Sequence, residues 1–226
     1  MNPVAEVQIE PALAQQAAPI NSTVVNSTIV NNTLEQLRSL ELVQRRYAQR
    51  GYLTQGMVSK PDQLTTFSLG LADTMSGTLS VRLDGPQGLS ADECFGAELD
   101  ELRLNGSRIC EFTRLAMEEL EAPSKDALAR LFQTAYVYAH HRCRAELLVI
   151  EVNPRHVAFY RRMLGFSVAA ETRFNERVRA PAVLMILELE HARREIERLG
   201  GSAARGEPAR SIYSYMLPME QGLQLV

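Results

Sequence analysis

At 226 residues, 46% of them hydrophobic, the chain is long enough for one large domain with a substantial core and short for two. Its 24 basic and 27 acidic residues leave a formal charge of -3, so there is no electrostatic case for nucleic acid as the main partner. No apolar run approaches the ~18 residues that a membrane helix needs, which speaks against an integral membrane segment.

Residues 1–20 contain Ala, Gln and Pro without periodicity and read as a loose N-terminal arm, leaving 21–226 as a single domain. The repeated "NSTVV" and "NSTIV" alternate as a strand over 23–31. Thr33 and Gln36 have capping-box spacing. Leu37, Leu40, Val43 and Tyr47 then share one face, which predicts a helix to Arg50 that Gly51 ends. "TTFSLGLA" (65–72) and "GTLSVRLDG" (77–85) form a predicted hairpin joined by "DTMS", and "RICEFTRLAM" (108–117) is a third strand beside them. Pro123 and Ser124 open a helix with Leu128, Leu131, Phe132, Ala135 and Ala139 along one side. Glu146 to Val152 reads as a short strand buried on both faces. Asn153 can cap the next helix, Pro154 suits its first turn, and Val157, Tyr160 and Leu164 make its apolar face before Gly165 stops it. An arginine-rich connection leads to a strand at 180–190, a charged helix at 191–200 and a final strand at 211–217. The order implies a mixed α/β architecture, a sheet with helices packed on it.

Cys94, Cys110 and Cys143 are an odd number without paired spacing, which suits a reducing cytosol and implies no metal. The first twenty residues lack a basic start followed by an apolar block, so the expected location is cytoplasmic. The N-x-[ST] triplets at Asn21, Asn26, Asn31 and Asn105 are then chance matches. The "HHRCR" cluster from His140 to Arg144 has no familiar metal spacing and sits at a helix end, where cations are favoured.

"VNPRHVAFYRRMLGF" resembles the strand-to-helix segment of the GNAT superfamily of N-acyltransferases. Its Asn, Ala, Phe-Tyr and Gly-Phe positions are Asn153, Ala158, Phe159-Tyr160 and Gly165-Phe166, with the first spacing longer than usual. The span 77–117 is similar to the centre of acyl-homoserine-lactone autoinducer synthases, where a "VRL" strand precedes an "E-x-S-R" strand. Here these are Val81-Arg82-Leu83 and Glu111-Phe112-Thr113-Arg114, with Thr in place of Ser. A chain carrying both segments in this order is most similar to the bacterial N-acyl amino acid synthases, over about residues 28–190. The resemblance implies a GNAT-like, mostly antiparallel sheet whose two middle strands splay apart, with the donor's pantetheine arm in the gap. It also implies transfer of a fatty acyl group from acyl carrier protein to the amino group of an amino acid.

Acyl transfer to an amine needs a held thioester, a neutral nitrogen and a place for the oxyanion. Glu111 matches the autoinducer-synthase glutamate and is the candidate base; the alternative is an ion pair with Arg82 or Arg114. Those arginines, with Asn153 beside the gap, are candidate substrate-binding residues, because a guanidinium grips a carboxylate bidentately. Tyr160 matches the tyrosine that many GNAT enzymes use to protonate the departing thiolate; the alternative is plain core packing. Arg155, Arg161 and Arg162 are candidates for docking an acidic carrier protein, or else form a solvated helix face.

Acetyl-CoA enzymes of this fold carry a glycine-rich loop that wraps the pyrophosphate. The matching stretch "RLAMEELEAPSKDA" has no glycine and adds Glu118, Glu119 and Glu121, although Lys125 offers one cation. It favours the phosphopantetheine of acyl carrier protein as donor, with no cofactor bound to the enzyme itself. Two other readings remain: a non-catalytic regulator that binds acyl carrier protein, and a lactone-forming autoinducer synthase. The latter use a tryptophan-containing N-terminal region, and this chain has no tryptophan.

Overall fold

The computed structural model describes residues 27–54, 64–71, 74–118, 125–208 and 210–226. Its elements are β1 (Ser27–Ile29), α1 (Thr33–Gln49), β2 (Leu64–Leu71), β3 (Thr74–Leu83), α2 (Asp92–Leu104), β4 (Ile109–Met117), α3 (Lys125–Tyr136) and β5 (Leu147–Val152). Then follow α4 (Val157–Leu164), β6 (Ser167–Val168), β7 (Arg173–Asn175), β8 (Ala180–Glu188), α5 (Leu189–Leu199) and α6 (Met219–Gly222). The sheet has the order β1-β2-β3-β4-β5-β8-β6, with β7 also pairing β8. β4 and β5 run parallel, and the other pairings described are antiparallel.

The parallel pair is short. Ile109, Cys110 and Glu111 face Leu147, Leu148 and Val149 in register, and there the pairing stops. β4 runs on to Met117 and β5 to Val152 without each other, which is the splay expected of the middle strands. β4 also carries a bulge, since Ser80 pairs with Thr113 and Thr78 with Ala116, leaving Arg114 and Leu115 opposite Leu79 alone. Arg114 takes the left-handed conformation at φ 54°, which costs a non-glycine residue about 1–2 kcal/mol.

Alternation along the strands sends the two faces to different partners. On one face Leu79, Val81, Cys110, Phe112 and Leu148 join the main core with α3, α4 and α5. On the other, Phe95 and Leu99 of α2 pack on Ile109, Val149 and Leu184. Leu42 and Val43 of α1 cover Ala116 further along that face.

Several expectations need correction. The predicted strand at 211–217 is a 3-10 turn, Ile212–Tyr215, in which the Ser211 hydroxyl accepts from the Tyr213 N–H at 3.2 Å and Tyr213 donates to the Leu164 carbonyl at 2.8 Å. Its β-rich composition reflects burial against α3, α4 and α5. Helix α2 had no counterpart in the sequence reading. Its apolar positions are few and it is kinked at Phe95 (φ -132°, ψ 29°), so its helical period is faint. The cap of α1 is Asn32, which accepts from the Glu35 N–H at 2.9 Å, one position before the Thr33 box. The hairpin is tighter than expected, because β3 begins at Thr74. The helix read through Ala139 changes to a π-helical turn over Val137–Arg142, with His140 Nδ1 hydrogen-bonded to the Ala145 carbonyl at 2.8 Å. The short strands β6 and β7 lie in the arginine-rich connection, for which no strand was predicted. The N-terminal arm, residues 23–26, Pro123 and Ser124 lie outside the described residues. Gly165 is left-handed (φ 79°) and ends α4 as expected. Among the described residues, no helix is long and apolar enough to cross a membrane.

Candidate active site

Glu111 is the last residue of β4 that pairs with β5, so it stands at the apex of the splay. Its neighbours Cys110 and Phe112 point into the main core, and Glu111 points to the opposite face, beneath the loop that leads into α2. It is 1% exposed and accepts from the Ser90 N–H at 2.7 Å. Burial, with the charge of Glu151 added, pushes its carboxyl up to about 7, while the Ser90 amide and Arg177 pull it down. A carboxyl so placed is part proton acceptor, part acid at neutral pH.

The surrounding shell contains residues that the sequence reading did not single out. Glu151 lies on β5, two residues beyond the partner of Glu111. Arg177, in the turn between β7 and β8, grips Glu151 through Nη2 and donates from Nη1 to the Ser90 carbonyl at 2.9 Å. Asn175 Nδ2 donates to the other Glu151 oxygen at 3.0 Å, and Glu93 lies 3.8 Å from Arg177. Arg177 therefore holds both Glu151 and, through its carbonyl, Ser90, the residue whose N–H donates to Glu111. One sequence signal was available: Glu151 sits in the apolar run "LLVIEV", and a charge in a buried strand requires a partner.

The other candidates distribute around this centre. Arg82 is the direct cross-strand neighbour of Glu111 and is half-buried. Arg114 occupies the bulge, and its charge reaches the Tyr47 hydroxyl of α1, as does that of Arg177. Among the described residues, β4 beyond Glu111 has no strand partner on its β5 side. Tyr160 packs edge-on to Phe166 (5.7 Å between centroids) and tilted to Phe132 (6.4 Å). Burial raises its phenol above the ordinary range, and among the described residues its hydroxyl has no hydrogen-bond partner. Tyr160 packs against the main core on the α3 side of the sheet.

Asn153 uses its side-chain oxygen to cap the turn at Pro154–His156, accepting from the Arg155 N–H at 3.2 Å. Arg155 donates to the Tyr52 hydroxyl at 2.9 Å and lies over that ring, tying α4 to the segment after α1. Arg161 and Arg162 are exposed, and neither makes an ion pair among the described residues. Glu118 is paired through both oxygens to Arg45, and Lys125 stacks on Tyr215 at 5.5 Å. Glu119 and Glu121 of the glycine-free segment lie outside the described residues.

A family model described as N-acyl amino acid synthase FeeM matches residues 38–188. The chain belongs to the FeeM family of N-acyl amino acid synthases. Its matched span contains the splay, the bulge, Glu111, Glu151, Tyr160 and Arg177. Among solved structures it is similar to FeeM, an N-acyl amino acid synthase from uncultured soil microbes, at 28% identity. That likeness covers 73% of this chain and 91% of the other, with TM-score 0.66. It is also similar to ElaA of Escherichia coli at 11% identity, over 73% and 100% of the two chains, TM-score 0.52. An aminoglycoside N(6')-acetyltransferase from Legionella pneumophila matches at 10% identity over 76% and 96%, TM-score 0.51. At those identities the likeness is one of GNAT fold alone. No curated protein sequence matches the chain. The FeeM family member described here is thus an N-acyltransferase of GNAT fold.

Proposed function

We propose that this FeeM family member moves a fatty acyl group from the phosphopantetheine thioester of acyl carrier protein to the α-amino group of an amino acid. The observation that carries the reading is Glu111, a buried carboxyl tuned to about 7 at the apex of the splay, beside a stretch of β4 that has no strand partner on its β5 side among the described residues. An amino group arrives mostly as ammonium, because free α-amino groups have pKa values of about 8 or above. Glu111 takes one proton, directly or through water, and the neutral nitrogen attacks the thioester carbon. Backbone N–H groups of β4 on its unpaired β5 side hold the oxyanion; losing one such donor typically costs about 3 kcal/mol of transition-state stabilisation. The C–S bond then breaks as nitrogen loses a second proton and sulfur gains one. The balance is ammonium plus thioester to amide, thiol and one released proton.

Tyr160 remains protonated at any working pH, since burial raises its phenol. A full transfer from such a phenol to a thiolate of pKa ~8.5 is uphill, so its main contribution is a hydrogen bond to the departing sulfur until a proton arrives. Arg82, across from Glu111, and Arg114 in the bulge bind the acceptor carboxylate. Asn153 keeps its cap and so fixes the entry to α4, where Tyr160 stands.

Support for a carrier-protein donor is the glycine-free stretch after β4, where a nucleotide pyrophosphate would lack its wrapping amides. The test is a steady-state comparison of one acyl group on acyl carrier protein and on coenzyme A, with a mixture of amino acids as acceptors. Carrier-bound acyl should be used with a kcat/KM at least about tenfold higher, a difference of roughly 1.4 kcal/mol. Equal values for the two donors would overturn the donor assignment.

A further inference from the structure

Ser90 is held at both ends by charged groups of the site. Its N–H donates to Glu111 at 2.7 Å, and its carbonyl accepts from Arg177 Nη1 at 2.9 Å. The backbone nitrogen and carbonyl of one residue are separated by a single Cα, and the ammonium and carboxylate of a free α-amino acid are separated in the same way. Glu111 and Arg177 are therefore spaced to be bridged by one amino acid, with an acceptor at its nitrogen end and a donor at its carboxyl end.

Both groups have capacity left beside Ser90. A carboxylate accepts more hydrogen bonds than one residue supplies, and a guanidinium has more N–H donors than the two that Arg177 spends on Ser90 and Glu151. Glu93 lies 3.8 Å from Arg177, beyond hydrogen-bond distance. The Arg177 side chain is 34% exposed against 9% for Glu151, so a small solute can reach the guanidinium. The turn that carries it is fixed. Asn175, 1% exposed, accepts from the Val178 N–H at 3.3 Å and donates to Glu151 at 3.0 Å, and the Val178 carbonyl accepts from the Leu53 N–H at 3.0 Å. Arg179, next along, is left-handed at φ 52°, a conformation that its surroundings must hold. A turn anchored to β5 and to the segment after α1 presents Arg177 in a set position, which is what orienting a substrate requires.

We propose that Arg177 receives the α-carboxylate of the acceptor while Glu111 receives its ammonium, and that this pair restricts the acceptor to α-amino acids. The proposal rests on the acyl-transfer reading above and adds a recognition residue to it. One carboxylate oxygen goes to Arg177 and the other to the arginines of the sheet, Arg82 and Arg114. An amide lacks the charge that Arg177 requires. A β-amino acid puts a second carbon between its two groups and overshoots the span that Ser90 sets.

The experiment gives the protein fatty acyl donors on both acyl carrier protein and coenzyme A. The acceptors are a mixture of L-amino acids and the matching mixture of their α-carboxamides, and the N-acylated products are read by mass spectrometry. Saturation-transfer NMR reads binding of the same two mixtures without a donor. The unsubstituted protein should favour the acids at least about tenfold. Arg177→Gln should lower kcat/KM for the acids about tenfold to a hundredfold, mainly through KM, and leave the amides as they were. Arg177→Lys keeps a charge beside Glu151 but loses the planar fork, so it should fall between the two and keeps the test open if the glutamine variant unfolds. Acids and amides falling together would make Arg177 a support for Glu151 and Ser90 alone, and an unchanged preference for acids would leave the carboxylate to Arg82 and Arg114; either result overturns the assignment. Absence of transfer with both donors, alongside binding of acids over amides that Arg177→Gln abolishes, would overturn the acyl-transfer reading and uphold the pairing of Arg177 with the carboxylate.

Discussion

The two faces of the sheet at the splay are one residue apart in sequence and opposite in chemistry. Glu111 and Glu151 face the side of α2, where Arg177, Asn175 and the Ser90 amide meet their charge. Phe112 and Leu148 face the side of α3, where the lining is apolar and a void remains. The strand period of two makes this possible, because one pair of strands serves a titrating centre and a greasy compartment at once. The divergence of β4 from β5 joins them. The difference teaches that the polar face should govern rate and pH dependence, and the apolar face should govern which acyl chain is held.

The strongest way to break this division is Glu111→Gln, which keeps shape and removes the base. Turnover should fall about 10²-fold or more. In the unsubstituted protein kcat/KM should rise with pH through about 7 as Glu111 loses its proton. Stability carries the opposite sign. A carboxyl raised from 4.5 to about 7 holds its proton more tightly when folded, so its contribution is full below 4.5 and is lost as pH rises through 7. Thermal melts of Glu111→Gln should therefore lack that decline. Near-normal turnover of the variant from pH 6 to 9 would make Glu111 structural.

Tyr160→Phe probes the apolar face. The phenol has no hydrogen-bond partner among the described residues, so the melting temperature should barely change. A hydrogen bond to a charged sulfur is worth about 1.5–3 kcal/mol, which predicts a loss of about tenfold to a hundredfold in kcat with KM little altered. Full activity would leave Tyr160 as packing against Phe132 and Phe166 only.

Glu151→Gln sharpens the comparison without touching the base. Glu151 is buried and held by Arg177, and its charge raises the Glu111 carboxyl. Around Glu111 stand Ser90 from the loop before α2, Arg82 on β3, Glu151 on β5 and Arg177 from the turn before β8. Removing the Glu151 charge leaves that cationic side uncompensated, so the Glu111 carboxyl falls. The acid limb of kcat/KM should move to lower pH, by about one unit, equivalent to roughly 1.4 kcal/mol. A limb that stays in place would remove Glu151 from the tuning of the base.

The legibility of the two faces differed as well. The apolar strands and the α3 and α4 faces announce themselves by period, and Gly165 and Asn153 mark the ends of their elements. The family resemblance singled out Glu111 and Tyr160 as candidates. Arg177 was hidden because its role depends on a turn that folds back over β4 from β8, a contact that no local pattern encodes. Helix α2 escaped because only Phe95 and Leu99 of it are fully buried, with Cys94 and Leu102 half-buried beside them, so its apolar period is weak. The segment 211–217 misled because aromatic and β-branched residues serve equally well in a turn buried under helices.

The smallest effect expected lies at the rim, outside both faces. Arg161 and Arg162 are exposed on α4, without ion-pair partners among the described residues, and α4 follows directly from the strand that borders the splay. Arg155 is different, because it is engaged with Tyr52, and replacing it would disturb the link between α4 and the segment after α1. The clean variant is therefore Arg161→Glu with Arg162→Glu. A carrier protein is acidic, and exposed charges of this kind act mainly on association rate, within a Debye length of about 8–10 Å at physiological salt. Reversal should slow carrier association several-fold at low ionic strength, converge with the unsubstituted protein at high salt, and leave turnover of a short acyl-pantetheine unaltered. Surface-plasmon kinetics at two salt concentrations measure the first two, and a thiol-release assay the third. Unchanged association at low salt would place the docking surface elsewhere, whereas a loss of short-donor turnover would mean that α4 had shifted and carried Tyr160 with it.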